Sequence, residues 1–450
     1  MAIWEGVDWD LVYEEALAHF KTLIRFETVN PPGNERPAAE YLAEVLKKEG
    51  IEPEVLESAP GRANLVCRIP GSGEKAPVLL HGHLDVVPVE PDKWSVAPFG
   101  AVEKDGFLWG RGAFDMKNMV TMCMMCMLLF KRAGITPKRD LIFCAVADEE
   151  AGGQYGSQFM VDNHPDKVKA EYAIGEMGGF SMEMGGVRFY LIQVAEKGMC
   201  WLKIKTHGDP GHGSMPDPDS APIKAATVID RLGKNRLPQH NPDAVVRFVN
   251  ILSSHLKFPQ NMIFKLLLWP GFSDFILDKL FPDKRVAKAL AATIHNTANP
   301  TVIRAGEKTN VIPSVAEFEV DGRILPGFST DDFIAEVRKL IGDEPEIEVM
   351  RELTPTEAPV DDPVMGIMSE AIHRHDPEAV VVPNLGTWFS DATHWKKLGI
   401  KCYGFIPLKF PPDFTIANVG GHGHDERIPL EGFRFGLEVL FEAVEKLVTG

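Results

Sequence analysis

Cysteine is sparse in this sequence. Six residues in 450, Cys67, Cys123, Cys126, Cys144, Cys200 and Cys402, are scattered through mostly apolar segments. That pattern argues against a disulfide framework and fits a reducing compartment. Cys123 and Cys126 have the spacing of a redox or zinc pair, but they sit inside a continuous Met/Leu run with no second pair, so they read as core. Long apolar runs are lacking too: the strongest, Met119–Phe130, is too short to span a bilayer and is flanked by Lys117 and Lys131. The opening MAIWEGVDWDLVYEEALAHF has no basic leader, apolar stretch or cleavage site, so no signal peptide is expected. Positive charge is in deficit, with 47 Lys and Arg against 64 Asp and Glu and a formal net charge of -17. Such a balance argues against nucleic acid and against electrostatic docking on anionic membranes. A cytoplasmic protein is expected. Missing as well are a Gly-x-Ser-x-Gly elbow, a His-Glu-x-x-His helix and a Walker loop, which excludes three common hydrolase solutions.

What is present is an alternation of short apolar strands and amphipathic helices. Helices are expected around Trp9–Phe26, Arg36–Lys48, Met116–Arg132 and Gly156–Asn163. Strands are expected at Glu54–Glu57, Asn64–Ile69, Val78–Leu80, Leu141–Ala147 and Tyr172–Gly175. This is the α/β pattern of a mostly parallel sheet. From about Phe189 the texture becomes that of an α+β sandwich, and after Pro355 the first texture resumes through a last helix at Pro429–Val448. The expected organisation is a catalytic domain over 1–188 and 354–450, interrupted by an inserted lid or dimerisation domain over 189–353. The stretch of about 245–300 is rich in Phe, Leu and Trp. It reads as an extra helical segment rather than a membrane-touching one, because no basic polar face is evident.

Charged residues gather where apolar strands end. His83 and Asp85 follow one strand with a spacing of two, so both side chains point the same way. Asp148-Glu149-Glu150 follows a second strand and Glu176 a third. Asp115 lies in Gly110-Arg-Gly-Ala-Phe-Asp115-Met-Lys117, and His422, His424 and Glu426 share a late loop. Open parallel sheets bind ligands beyond the carboxyl ends of their strands. If Asp85, Asp115, Glu149, Glu150 and Glu176 converge there, they could not all stay charged without cations. One of the adjacent pair Glu149-Glu150 would then bind metal and leave the other as a general base.

At these motifs the chain resembles the M20 family of metallopeptidases and amidohydrolases, over nearly its whole length and in the same motif order. The long insert is similar to that of the larger carboxypeptidase S-like members. The resemblance implies two metal ions, zinc with cobalt or manganese as substitutes. It implies that His83 and Glu176 hold one ion, Glu150 and His422 the other, and Asp115 both, with His424 an alternative to His422. Asp85 would orient His83, Glu149 would be the general acid/base, and the Asp115–Met116 peptide would be cis. In the inserted domain His212 would steady the oxyanion, Asn310 would lie beside the substrate and Arg323 would hold its carboxylate. Gly386 and Thr387, with Ser390-Asp391, fall where the family has a substrate loop. The implied reaction is cleavage of an amide beside a free carboxylate, in an N-acyl amino acid or a short peptide, by a possible homodimer. A dipeptidase or aminopeptidase on the same site and a non-catalytic metal-binding relative are the alternatives. Glu rather than Asp at 176 resembles the deacylases and carboxypeptidases.

Overall fold

A computed structural model describes residues 3–281 and 284–450. Residues 282 and 283, inside the expected helical segment, and residues 1 and 2 lie outside the described residues. The chain divides into two compact units. One comprises Met1–Val194, Ala358–Asn384 and Ser390–Gly450; the other comprises Ala195–Glu357 and Leu385–Phe389.

In the first unit four parallel strands form the centre of the main sheet, in the spatial order Leu141–Val146, Val78–His83, Tyr172–Gly175, Lys401–Gly404. Antiparallel strands extend both sides: Arg62–Ile69 and Pro53–Ala59 beyond Leu141–Val146, and Val187–Glu196 beyond Lys401–Gly404. The first three of these strands are buried along their whole length, which is why they read as unbroken apolar runs rather than alternating ones. Helix Lys117–Ala133 supplies much of the packing, with Cys123 and Cys126 fully buried among its Met and Leu residues. Burial pushes the Cys126 thiol up, as expected of a core residue and not of a redox pair. All six cysteines are free.

The expected change of domain at 188/189 falls instead at 194/195. The strand Val187–Glu196 looks like any amphipathic strand in sequence, but its Gln193 pairs with Gly404 of the main sheet. The second boundary, expected at 353/354, falls at 357/358, and the short stretch Leu385–Phe389, with Gly386 and Thr387, also belongs to the second unit.

Helices Pro363–His375 and Leu430–Thr449 of the first unit are clamped by His375, whose Nδ1 lies 3.3 Å from Glu438 and Nε2 3.2 Å from Glu442. Burial alone would lower the His375 pKa, but these two carboxylates hold it at about 9, above the ordinary 6.5. A raised folded-state pKa means the stabilisation is complete below pH 6.5 and is lost as pH rises through 9. His375→Gln is therefore expected to flatten the fall of Tm across that window, and an unchanged slope would disprove the clamp.

The second unit is an antiparallel sheet ordered Thr297–Ala305, Val315–Ile324, Gly198–His207, Glu346–Leu353. Helices Ala221–Lys234 and Thr330–Ile341 cover it, burying Ala225, Val228, Phe333 and Val337 against Leu202, Ile204 and Phe318. The segment between them carries helices Asp243–His255, Gln260–Leu267 and Lys284–Ile294.

Candidate metal centre

Every expected metal ligand lies in the first unit, at or near the carboxyl end of the parallel sheet. His83 ends its strand and is fully buried. Glu149 and Glu150 follow Leu141–Val146 through Asp148, whose backbone is left-handed at φ 69°. Glu176 follows Tyr172–Gly175, and the chain turns away through Gly178. Gly178 has φ 70°, and a Cβ there would come within 2.6 Å of the Gly404 carbonyl, so only glycine fits. Such strain in non-glycine residues, Asp148 and also His422 at φ 57°, gathers at this end of the sheet.

Asp115 sits between two groups of donors. Its Oδ1 is 3.0 Å from His83 Nε2, and its Oδ2 is 3.2 Å from His422 Nε2. Glu176 Oε1 lies 3.9 Å from His83 Nε2, and Glu150 Oε2 lies 3.1 Å from His422 Nε2. Two sets capable of holding a metal ion result, His83–Asp115–Glu176 and Asp115–Glu150–His422, each with ligand atoms within 4.8 Å of one another. Asp115 belongs to both. Glu149 belongs to neither, although its Oε2 is 4.0 Å from His83 Nε2. His424 points elsewhere, 3.7 Å from Glu90. The Asp115–Met116 peptide is cis.

The charges explain what the site is built to hold. Burial raises Glu149 well above the usual carboxylate range, reinforced by the charges of Glu176 and Glu150. Glu150 is pushed up to about 7, chiefly by burial and then by Asp115. Hydrogen bonds to Asp115 and Glu150 carry His422 to about 10. Burial opposes a charged His83, yet its hydrogen bonds to Asp115 and Asp85 hold its pKa well above normal. In the absence of a cation, these contacts favour protonated imidazoles beside the carboxylates. Glu150 Oε1 is buried and has no hydrogen-bond partner among the described residues. An unpaired buried carboxylate oxygen beside imidazole nitrogens fits a divalent metal, which would replace those protons.

Supporting contacts hold this arrangement. Asp85 is fully buried; its carboxylate accepts the backbone N–H groups of Glu149 and Glu150 at 3.1 Å and the Asn30 amide at 2.8 Å. His83 Nδ1 lies 3.0 Å from the Asp85 carbonyl and 3.5 Å from its carboxylate. Asn30 also donates to Asp148, which Arg62 joins to Glu35. Glu426 receives Arg111 at 2.6 Å and the N–H groups of Gly112, Phe114 and Asp115, fixing the loop that presents the shared carboxylate. No local spacing in the sequence links Asn30, Arg62 or Glu35 to the site. Glu426→Ala would leave Arg111 buried without a carboxylate partner, and we expect a loss of about 3–5 kcal/mol in urea unfolding. A change below about 1 kcal/mol would contradict that role.

In the second unit, His212 and Asn310 are neighbours. His212 pairs with Val311 across a two-residue ladder, and the Gly213 N–H donates to the Asn310 carbonyl at 2.9 Å. His212 Nδ1 accepts the Ser214 N–H at 3.2 Å, so a neutral ring carries its proton on Nε2 and can donate there. Arg323 lies over the Phe389 ring and pairs with Asp321 through Nε at 2.9 Å. The Gly386 carbonyl accepts the Lys197 N–H at 3.0 Å, and Thr387 is half-buried.

Comparison with known proteins follows the same line. The sequence pattern of peptidase family M20/M25/M40 matches residues 79–446. The chain belongs to this family. It is a hydrolase acting on amide or peptide bonds. The chain is 28% identical to mouse N-fatty-acyl-amino acid synthase/hydrolase PM20D1 over 83% of its own length and 74% of the relative's. It is 25% identical to pig aminoacylase-1, covering 96% of this chain and 94% of that one. Among solved structures it resembles the M20 family metallo-carboxypeptidase Sso-CP2 from Sulfolobus solfataricus, with a TM-score of 0.71, 19% identity and coverage of 96% and 98%.

Proposed function

We propose that this family member hydrolyses N-acyl amino acids with two zinc ions, releasing the free amino acid. The observation that carries the reading is the Asp115 carboxylate, which turns one oxygen to His83 and the other to His422. In this reading His83 and Glu176 complete one metal set, and Glu150 and His422 the other. Imidazole with carboxylate suits zinc, and cobalt or manganese would serve as substitutes. When bound, two such ions supply a water of lowered pKa and polarise the carbonyl under attack.

The chain's own residues do the rest. Glu149, beside the donor sets but outside them, takes the proton of the attacking water on its carboxylate and hands it to the departing nitrogen. Asp85 orients His83 and fixes which ring nitrogen faces the site. From the second unit, His212 would donate from Nε2 to the developing oxyanion. Asn310, Gly386 and Thr387 would line the substrate. Arg323 would present its fork to the substrate carboxylate, the geometry it already adopts with Asp321. A homodimer is part of the proposal, because the second unit has the sheet and helices of a lid or dimerisation domain. The six free thiols are compatible with a cytoplasmic setting.

Likeness to enzymes named for N-acyl amino acids supports this substrate class over dipeptides. The test is a panel of N-acetyl and long-chain N-acyl amino acids beside unblocked dipeptides. Turnover of the blocked compounds, with unblocked dipeptides at least roughly tenfold slower in kcat/KM, supports the proposal. A requirement for a free amine would move the assignment to a dipeptidase or aminopeptidase.

A further inference from the structure

The exposed aromatic side chains of the second unit are concentrated in one short stretch. Phe258, Phe272 and Phe275 are the only exposed phenylalanines among the described residues, and Trp269 lies between them. Exposures of 77% at Phe258 and 63% at Trp269 are far beyond what an ordinary surface aromatic needs. The pattern is ordered. Phe264 and Leu267 of helix Gln260–Leu267 point inward and are buried, while Met262, Leu266 and Trp269 recur at intervals of four and three on the outward side. The helical turns that follow add Phe272, Phe275 and Leu280 to the exposed set. A concentration of exposed apolar side chains on this scale marks an interaction surface.

Charge selects the partner. Residues 256–294 carry six Lys or Arg against three Asp, in a chain with 47 against 64 overall. Asp274 and Asp278 are both engaged by Arg236, at 2.7 and 2.6 Å. Lys257, Lys265, Lys279 and Lys288 are exposed in the same stretch of chain as the aromatic residues. The basic excess of the stretch persists beside these two aspartates, because Arg236, from elsewhere in the chain, offsets part of their charge. Isologous pairing of two copies through this face would set lysine against lysine. No helix among the described residues is long and apolar enough to cross a membrane, so the segment would lie on a surface and not span it.

We propose that Phe258, Met262, Trp269 and Phe272, with Lys257, Lys265 and Lys279, form a docking face for an anionic phospholipid bilayer. The aromatic and Met side chains enter the headgroup boundary, and the lysines meet lipid phosphate and carboxylate. The face holds the protein reversibly where long-chain acyl compounds partition. This inference stands apart from the substrate reading, since docking is measured without any substrate.

The experiment is co-sedimentation of the full chain with phosphatidylserine–phosphatidylcholine vesicles and with phosphatidylcholine alone. Binding to the anionic vesicles is expected, and it should weaken as salt is raised. Phe258→Ser with Trp269→Ser should weaken it by roughly tenfold or more, and Lys257→Gln, Lys265→Gln and Lys279→Gln together by a similar factor. A circular dichroism spectrum and a urea-unfolding midpoint equal to wild type show that the variants are folded. No sedimentation of wild type, or equal sedimentation of the aromatic variant, overturns the proposal. So does a wild-type dimer in solution that the two serine substitutions split, because the face would then be a contact between copies.

Discussion

Glu149→Gln is expected to lower kcat by about a thousandfold or more while leaving metal content unchanged. The two halves of that result come from one piece of geometry. Glu149 and Glu150 are adjacent in sequence, but Glu150 faces His422 at 3.1 Å and Glu149 joins neither donor set. Removing the Glu149 charge leaves both sets intact and takes away the carboxylate that carries the proton. The substitution keeps the side chain's volume, so the buried pocket around it has no new cavity to collapse. Measurement of kcat beside metal analysis separates the roles. A variant that loses metal as well as activity would make Glu149 a ligand, and one near wild-type rate would remove it from the chemistry.

Asp115→Ala is expected to act differently. Each of its oxygens serves a different donor set, so its loss should empty both sites together. We expect fewer than about one tightly bound ion per chain and a fall in kcat/KM of about ten thousandfold or more. Glu176→Ala and His422→Ala, which each touch one set, should leave the other site partly filled. The comparison is made by metal analysis after dialysis against a weak chelator. If Asp115→Ala retained two ions, the shared carboxylate would not be the centre of the site.

The fold class was legible because three of the four central strands are wholly buried and read as apolar runs that lead into charge. Leu141–Val146 before Asp148-Glu149-Glu150 and Tyr172–Gly175 before Glu176 are the plainest cases. The same feature made the carboxylates visible, since charge immediately after a buried strand has few inexpensive explanations. The contacts that hold those carboxylates were hidden. Asn30 meets Asp85 across 55 positions, and Arg62 meets Asp148 across 86, with no local spacing to link them. Asn30 precedes two prolines and reads as a turn residue, which conceals its amide donor. Strand Val187–Glu196, which the boundary expected at 188/189 would cut, shows a related limit. Its pattern identifies a strand, but only pairing with a distant strand decides which sheet it joins. The exposed aromatic residues of 256–294 were visible as composition, whereas their orientation and the engagement of Asp274 and Asp278 by Arg236 required the fold.

The most direct test is to strip the protein of metal and titrate zinc back while following release of free amino acid from an N-acyl substrate. Two sites sharing Asp115 predict negligible activity without metal and a rise that reaches its plateau at two equivalents per chain. Full activity in the stripped protein, or a plateau at one equivalent, would contradict the two-metal centre.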